Sequence, residues 1–142
     1  NLSDKQKAQI YYNLGVCYYR LKQPEKAVVE FEKAIQLKNN YEKAFYALGM
    51  ANTDLKNWSE AKTAFRQALK LSKGQNSELW FDLAFVLIEQ NDFEGAIESF
   101  QNAIKLKSVA SFESQRNVEI LTNFLNSRDK KLLAKLVALE VR

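Results

Sequence analysis

The sequence repeats one helical pattern three times. The stretch VVEFEKAIQLK, residues 28–38, returns as KTAFRQALKLS at 62–72 and as IESFQNAIKLK at 97–107. The offset is 34 residues between the first two copies and 35 between the last two. A period of this length is typical of helical units that stack on one another to bury a shared core, so it constrains the fold more than composition does. The recurring residues of this pattern are Ala27, Phe31 and Ala34; Ala61, Phe65 and Ala68; and Ala96, Phe100 and Ala103.

A second recurring stretch precedes each copy of the first. Its anchors are Tyr11, Leu14 and Gly15; Phe45, Leu48 and Gly49; and Trp80, Leu83 and Ala84. A glycine inside a helix costs about 1 kcal/mol relative to alanine, so glycine at one register in two copies indicates a close helix crossing. The phenylalanine of the following helix is expected to fill the space that the small residue leaves. The sequence therefore predicts pairs of helices, each pair joined by a short turn.

The predicted boundaries follow from these anchors and from start signals. The first helices of the pairs are predicted at 5–20, 41–54 and 77–89, and the second helices at 25–38, 59–72 and 94–107. Pro24 suits the first turn of a helix, where its missing N–H costs nothing. Asn57 and Asn91 are each followed three residues later by glutamate, which predicts capped helix starts.

Composition supports an all-α fold. The chain has only four glycines and one proline, whereas β architectures need frequent turn residues. The net charge of +4 comes from interspersed charges of both signs, which indicates a solvated helix surface and no nucleic-acid partner. The single cysteine, Cys17, lies in an apolar run and is expected to be buried.

The two recurring stretches resemble the tetratricopeptide repeat family, with its aromatic-x-x-Leu-Gly helix and its Ala-x-x-x-Phe-x-x-Ala helix. The resemblance covers residues 8–110 and implies a right-handed superhelix (solenoid) of antiparallel helix pairs. It predicts a single domain over residues 1–142, with repeats at about 8–41, 42–75 and 77–110. The proline that the family often carries after the second helix is absent, and Ala84 replaces the glycine in the third repeat.

The segment after the third repeat, at about 111–141, does not keep the anchors but still predicts two capping helices. One apolar stripe consists of Val118, Leu121 and Leu125, and another of Leu132, Leu136 and Leu139. A solenoid needs such a cap to seal its last repeat. The final stripe is apolar enough to serve alternatively as a second docking surface.

The resemblance further implies a binding groove on the first helices of the pairs, for an apolar or amphipathic peptide segment or helix of a partner protein. A strip of exposed aromatic side chains usually marks an interaction site. The alternative is that neighbouring repeats bury part of the strip. The predicted groove residues are Tyr12, Asn13, Val16, Tyr19, Arg20, Lys43, Tyr46, Met50, Phe81, Asp82 and Phe85.

One known use of the family is not expected. Chaperone-binding members hold an acidic carboxyl terminus with lysine, asparagine and arginine side chains on these helices. The corresponding positions here are Tyr12, Val16, Ala47, Glu78 and Asp82. Two of them are acidic and would repel a carboxylate, so a clamp of that kind is excluded in this register.

An enzyme is not expected either. The sequence has no histidine, no glycine-rich phosphate loop and no metal-spaced cluster, so neither a cofactor nor a metal is predicted. Glu78, Asp82 and Glu89 are interpreted as solvated acids. No membrane span or signal peptide is recognised, which leaves a cytoplasmic or periplasmic location open. The alternative function is a self-association scaffold, in which the groove or the C-terminal helices bind another copy or another part of the same chain.

Overall fold

The described part of the chain is built from helices. The computed structural model describes residues 1–106 and 109–137, with the backbone alone at 109–111, and contains no strand in these ranges. The predicted all-α fold is confirmed, and the first six helices begin and end within two residues of their predicted boundaries. The helices are α1 (Asp4–Arg20), α2 (Pro24–Leu37), α3 (Glu42–Asp54), α4 (Trp58–Leu71), α5 (Ser77–Glu89), α6 (Phe93–Lys105) and α7 (Val109–Ser127), followed by a 3₁₀ helix (Lys130–Lys135).

The contacts divide the chain into two compact units, residues 1–73 and 74–142. In the first unit α1 packs on α2, α2 on α3, and α3 on α4. The recurring alanines and phenylalanines form its core, because Ala27, Phe31, Ala61 and Phe65 are all between 0 and 1% exposed. The expectation of a single domain over residues 1–142 stays a prediction.

The recurring glycines mark the predicted close crossings. A Cβ atom placed on Gly15 would lie 2.6 Å from Cδ1 of Phe31, and one on Gly49 would lie 2.5 Å from Cδ1 of Phe65. Neither distance leaves room for a methyl group unless the ring moves. The register inferred from the repeat therefore places these glycines correctly against the partner rings.

The turn inside each repeat has a recurring backbone geometry. Lys22, Lys56 and Asn91 occupy the same repeat position, and all three have a φ angle between 59° and 63°. Such left-handed residues end many helices. Pro24 begins α2 as predicted, but Asn57 makes no side-chain capping bond, and α6 is capped by Asp92 instead of Asn91. Asn91 is unsuitable as a cap because it already forms the left-handed turn.

The second unit holds α5, α6, α7 and the 3₁₀ helix. Its core includes Phe81, Phe100 and Leu121, each 0% exposed. Helix α7 packs on α6 and α5, in the place where the sequence predicts the first capping helix. The second capping helix is realised as the short 3₁₀ helix, and Leu139 of its predicted stripe lies outside the described residues.

A buried amide holds the end of the described chain. Asn117 is 0% exposed, its Nδ2 donates to the Val137 carbonyl at 2.7 Å, and its Oδ1 accepts from the Val137 N–H at 2.6 Å. The Asn117 side chain thus pairs with both the backbone N–H and the backbone carbonyl of Val137. The sequence pattern contained no signal for this contact.

Two residues of α1 are more exposed than expected. Leu14 was assigned to the core with the other anchors but is 39% exposed, and Cys17 is also exposed. In the second repeat the residue equivalent to Leu14 is Leu48, which packs against Ala27 and Phe31. Within the described residues no helix covers the same face of α1, which explains both differences.

Candidate functional site

The first unit contains a pocket between α1 and α3, here named the tyrosine pocket. Its volume is about 260 Å³. It is lined by Tyr12, Val16, Tyr19, Arg20, Phe31, Lys43, Tyr46, Ala47 and Met50.

Helix geometry explains why these residues meet. The lining residues of α1 lie at positions 12, 16, 19 and 20, and those of α3 at 43, 46, 47 and 50. Side chains separated by three, four, seven or eight residues share one face of a helix. Packing between the two helices then brings the two faces to the same opening. Seven of the predicted groove residues therefore line a single pocket.

Asn13 belongs to the predicted groove but does not line the pocket. It is exposed, and its Oδ1 accepts a hydrogen bond from Gln9 Nε2 at 3.0 Å on the surface of α1. Ala47, which the helix register places on the groove face, also lines the pocket. Phe31 was missing from the prediction, because the repeat pattern assigns it to the core. The signal for Phe31 was available, since a ring facing a glycine lies at the edge of the helix crossing.

The third repeat differs from the prediction. Phe81 is 0% and Asp82 is 8% exposed, so the expectation that both face an open groove is wrong. Phe81 packs against Phe85 and Phe100, with ring centroids 5.1 and 5.4 Å away, while Phe85 is half-buried. In the other repeats Val16 and Met50 stand at the position of Phe85, so this ring contact of Phe81 has no counterpart there.

The tyrosine pocket carries positive charge at its rim. Arg20 and Lys43 are both exposed, and no ion pair of either is found within the described residues. Burial raises the pKa of Tyr12, and the positive charge of Arg20 acts in the opposite direction. Burial and the neighbouring Tyr12 also raise the pKa of Tyr41, whose hydroxyl donates to Gln9 Oε1 at 3.1 Å. The pocket thus joins apolar walls to cationic groups available to an anionic partner.

The raised pKa values of Tyr12 and Tyr41 predict alkaline destabilisation. Both groups hold their protons to higher pH in the folded protein than in the unfolded chain, where tyrosine titrates near pH 10. The unfolded chain therefore loses these protons first, and the stability that they contribute is full below about pH 10 and falls as the pH rises further. Urea midpoints measured between pH 8 and 11 should fall less steeply in the Tyr12→Phe, Tyr41→Phe double variant. If the urea midpoint falls equally steeply with pH in the parent and in the double variant, the prediction is wrong.

Two other kinds of functional feature are absent from the part of the chain that the structure describes. Among the described residues, no group of three or more histidine, cysteine, aspartate or glutamate side chains is placed to hold a metal ion. No helix in the same part of the chain has the length and apolar character needed to cross a membrane. The tyrosine pocket is the candidate site because seven of the predicted groove residues line it.

Comparison with known proteins agrees with this architecture. Two models described as tetratricopeptide repeat match residues 8–41 and 52–107. This chain belongs to the tetratricopeptide repeat family. The first match coincides with the predicted first repeat, and the two together span most of the chain, so the resemblance seen in the sequence is confirmed.

Several known proteins and solved structures are similar to this tetratricopeptide repeat chain. Superkiller protein 3 of Saccharomyces cerevisiae is 31% identical over 116 residues, a match that covers 76% of this chain and 8% of that protein. The structure of the first TPR of Spaghetti (RPAP3) bound to HSP90 peptide SRMEEVD has a TM-score of 0.80 at 17% identity, covering 88% and 98% of the two chains. The Yersinia enterocolitica type III secretion translocator chaperone SycD has a TM-score of 0.80 at 16% identity, covering 89% and 90%. This chain spans less than half the length of the curated relatives it matches.

Proposed function

We propose that this tetratricopeptide domain is a non-catalytic protein-interaction module whose tyrosine pocket binds an apolar or amphipathic peptide segment or helix of a partner protein. The observation that carries the proposal is the convergence of Tyr12, Tyr19 and Tyr46 with two exposed cations on one opening. Tyrosine and arginine are enriched among the residues that dominate binding energy at protein interfaces. The role fits a scaffold or an assembly adaptor.

The size of the pocket supports a peptide over a small molecule. Pockets for drug-sized ligands usually measure about 300–1,000 Å³ and enclose most of the ligand. The tyrosine pocket, at about 260 Å³, is smaller. It suits one or two side chains of a segment that lies across α1 and α3 and continues beyond the opening.

The similar structures support the same class of function. The Spaghetti (RPAP3) repeat domain was solved with a peptide of HSP90, and SycD is described as a chaperone of translocators. The bound peptide SRMEEVD is acidic at its end. The present chain has Tyr12, Val16 and Ala47 at positions expected to hold such an end. We therefore infer a different motif, with apolar anchors and an acidic group directed towards Arg20 and Lys43.

The test begins by identifying the segment. A photo-crosslinking residue placed at position 43, which is exposed, should attach to a partner in a native extract, and mass spectrometry then defines the linked peptide. The synthetic peptide should bind the unmodified domain. Tyr46→Ala should weaken binding by about 2 kcal/mol with little salt dependence. Lys43→Glu should weaken it strongly at low salt and less at high salt.

Matched controls separate the pocket from the rest of the surface. Tyr18 is a half-buried tyrosine on α1 that does not line the pocket, and Lys70 is an exposed lysine on α4. Tyr18→Ala and Lys70→Glu should leave binding unchanged, and circular dichroism should show every variant folded. Equal loss of affinity in the pocket and control variants, or full affinity in the folded Tyr46→Ala protein, would refute a role for the pocket.

Self-association is a second candidate, favoured by the exposed face of α1. Ile10, Leu14, Cys17 and Leu21 repeat at the spacing of one helix face, and all are exposed. Their equivalents on α3 include Ala44 and Ala51, which are 0% exposed in clusters that contain residues of α2. The equivalent face of α3 thus packs against α2, whereas this face of α1 is exposed. A second copy could cover it by pairing α1 with α1.

Sedimentation over a wide concentration range tests this candidate. The parent protein should dimerise as its concentration rises, whereas Leu14→Glu should remain monomeric because it places a charge in the centre of the stripe. Arg66→Glu, an exposed change on α4, serves as the control for altered charge. A parent protein that stays monomeric at the highest concentration would rule out this contact.

A further inference from the structure

A second cavity lies between α3 and α4, with one wall from α2; it is here named the α3–α4 cleft. Its volume is about 490 Å³, larger than the 260 Å³ of the tyrosine pocket. Phe45 and Leu48 contribute apolar surface, and Asn52 lies one turn further along α3. Glu32 of α2 and Glu60 of α4 contribute negative charge.

The cleft is separate from the tyrosine pocket. In α3 the cleft uses positions 45, 48 and 52, and the pocket uses 43, 46, 47 and 50. At 100° per residue, the centres of these two sets point in roughly opposite directions around the helix. The two cavities share no lining residue, so a ligand in one makes no direct contact with the lining of the other.

A buried amide lines the cleft with part of its hydrogen-bonding capacity unused. Asn52 is 5% exposed, and its Oδ1 accepts from Asn57 Nδ2 at 3.3 Å. The other end of the Asn52 amide has no hydrogen-bond partner among the residues that the structure describes. Reversing the amide leaves one end unpaired in the same way. The unpaired end is not among the fully buried side-chain atoms that lack a partner in the described part of the chain, so it reaches the opening of the cleft and can donate to a ligand there.

The fold itself does not require an amide at this position. The equivalent residues of the other repeats are Tyr18 and Leu87, and Leu87 is 2% exposed in the second unit. The packing of these helices therefore accepts an apolar side chain here. Asn52 holds Asn57 in the turn after α3 through its side-chain oxygen, and the remaining donor of its amide is available to a ligand in the cleft.

The charge of the cleft is opposite to that of the tyrosine pocket. Glu32 and Glu60 are exposed, and neither forms an ion pair within the described chain. They lie on different helices and line the same cleft as Phe45 and Leu48. A ligand that matches these features has a cation, an adjacent apolar group and a hydrogen-bonding group for the Asn52 amide.

We propose that the α3–α4 cleft is a second peptide-binding site, for a segment of a partner protein that carries lysine or arginine beside an apolar side chain. The apolar side chain lies on Phe45 and Leu48, the cation faces Glu32 and Glu60, and a backbone amide of the segment pairs with Asn52. This site does not depend on the function proposed for the tyrosine pocket, since the two use different residues and prefer opposite charges.

A displayed library of random 12-residue peptides, selected on the whole 142-residue chain, tests the proposal. One class of clones should contain lysine or arginine next to an apolar residue. Binding of this class should fall at least tenfold in the Glu32→Gln, Glu60→Gln double variant and should weaken with added salt. It should be unchanged in Lys43→Glu, which alters only the tyrosine pocket. In a nitrogen-15 spectrum, the side-chain NH₂ signals of Asn52 should shift when the synthetic peptide is titrated.

Two variants guard against a loss of folding. Both glutamates are exposed, so their replacement by glutamine should not affect stability. Asn52→Leu copies the residue of the third repeat, and it should remain folded and lose affinity for the same peptides. The proposal is overturned if no selected clone depends on the glutamate pair, or if the Asn52 signals do not move. Clones that depend on Lys43 alone would support the tyrosine pocket and overturn the second site.

Discussion

Replacing Phe65 with alanine is expected to lower the free energy of unfolding by about 3–5 kcal/mol. The ring is 0% exposed and lies against Gly49, which has no side chain to fill the space that the ring would leave. It also makes an edge contact with Tyr46, with ring centroids 5.9 Å apart. The substitution therefore removes both buried apolar area and an aromatic contact. Urea unfolding followed by circular dichroism measures the change.

Phe112 provides a control with the same chemical change. It is 73% exposed on α7, so Phe112→Ala should alter the free energy of unfolding by no more than about 0.5 kcal/mol. Phe65→Leu should lower the free energy of unfolding by an intermediate amount, because leucine keeps part of the buried side-chain volume. If Phe65→Ala and Phe112→Ala have similar midpoints, the assignment of Phe65 to the helix crossing is incorrect.

Ending the chain after Ser108 is expected to abolish cooperative folding of the second unit. The deletion removes α7, whose residues Ile120, Leu121 and Phe124 are 0–9% exposed. It also removes the ring contact between Phe93 and Phe124, with centroids 4.7 Å apart. The uncovered apolar surface of α6 should cause aggregation. Light scattering after size-exclusion chromatography and the thermal unfolding curve would show both effects.

A shorter deletion serves as the control. A chain that ends at Val137 keeps α7, the 3₁₀ helix and both hydrogen bonds between Asn117 and Val137. It should remain in solution with a nearly unchanged melting temperature. The capping role of α7 is refuted if the chain ending at Ser108 is equally soluble and melts at the same temperature as the parent.

The fold was predictable because the three repeats in the sequence can be compared with one another. Three copies of one pattern separate positions that packing constrains from those that vary, and this placed Gly15 against Phe31 and Gly49 against Phe65. Helix boundaries followed from the same anchors. Hydrophobic spacing alone would have predicted helices without identifying which faces meet.

The errors arose where identical repeat positions have different surroundings. Leu14 and Leu48 share a register, but only Leu48 packs against a preceding helix among the described residues. Tyr46 lines an open pocket, whereas the equivalent Phe81 is buried by Phe85 and Phe100. Such differences depend on neighbouring side chains that a repeat alignment does not compare.

The roles of the two buried asparagines could not be predicted from the sequence, for a different reason. Asn52 and Asn117 are ordinary asparagines in the printed chain, and burial alone distinguishes them. Asn117 has both ends of its amide paired with Val137, while Asn52 has one end unpaired within the described residues. Which end of each amide is paired depends on the folded structure, and the free donor of Asn52 is one of the features that led to the α3–α4 cleft.

The position of the two cavities on opposite faces of α3 has a consequence for avidity. Because α3 is packed on α1, α2 and α4, a linker that joins the two faces must pass around these helices, so it must be longer than the width of one helix, about 10 Å. A partner that carries an acidic and a basic segment on one chain would bind the second site intramolecularly, at an effective concentration in the millimolar range. Its overall affinity would then exceed that of either segment, and the length of its linker would decide whether both sites are reached. Such a domain would select partners by the spacing of their motifs as well as by the motifs themselves.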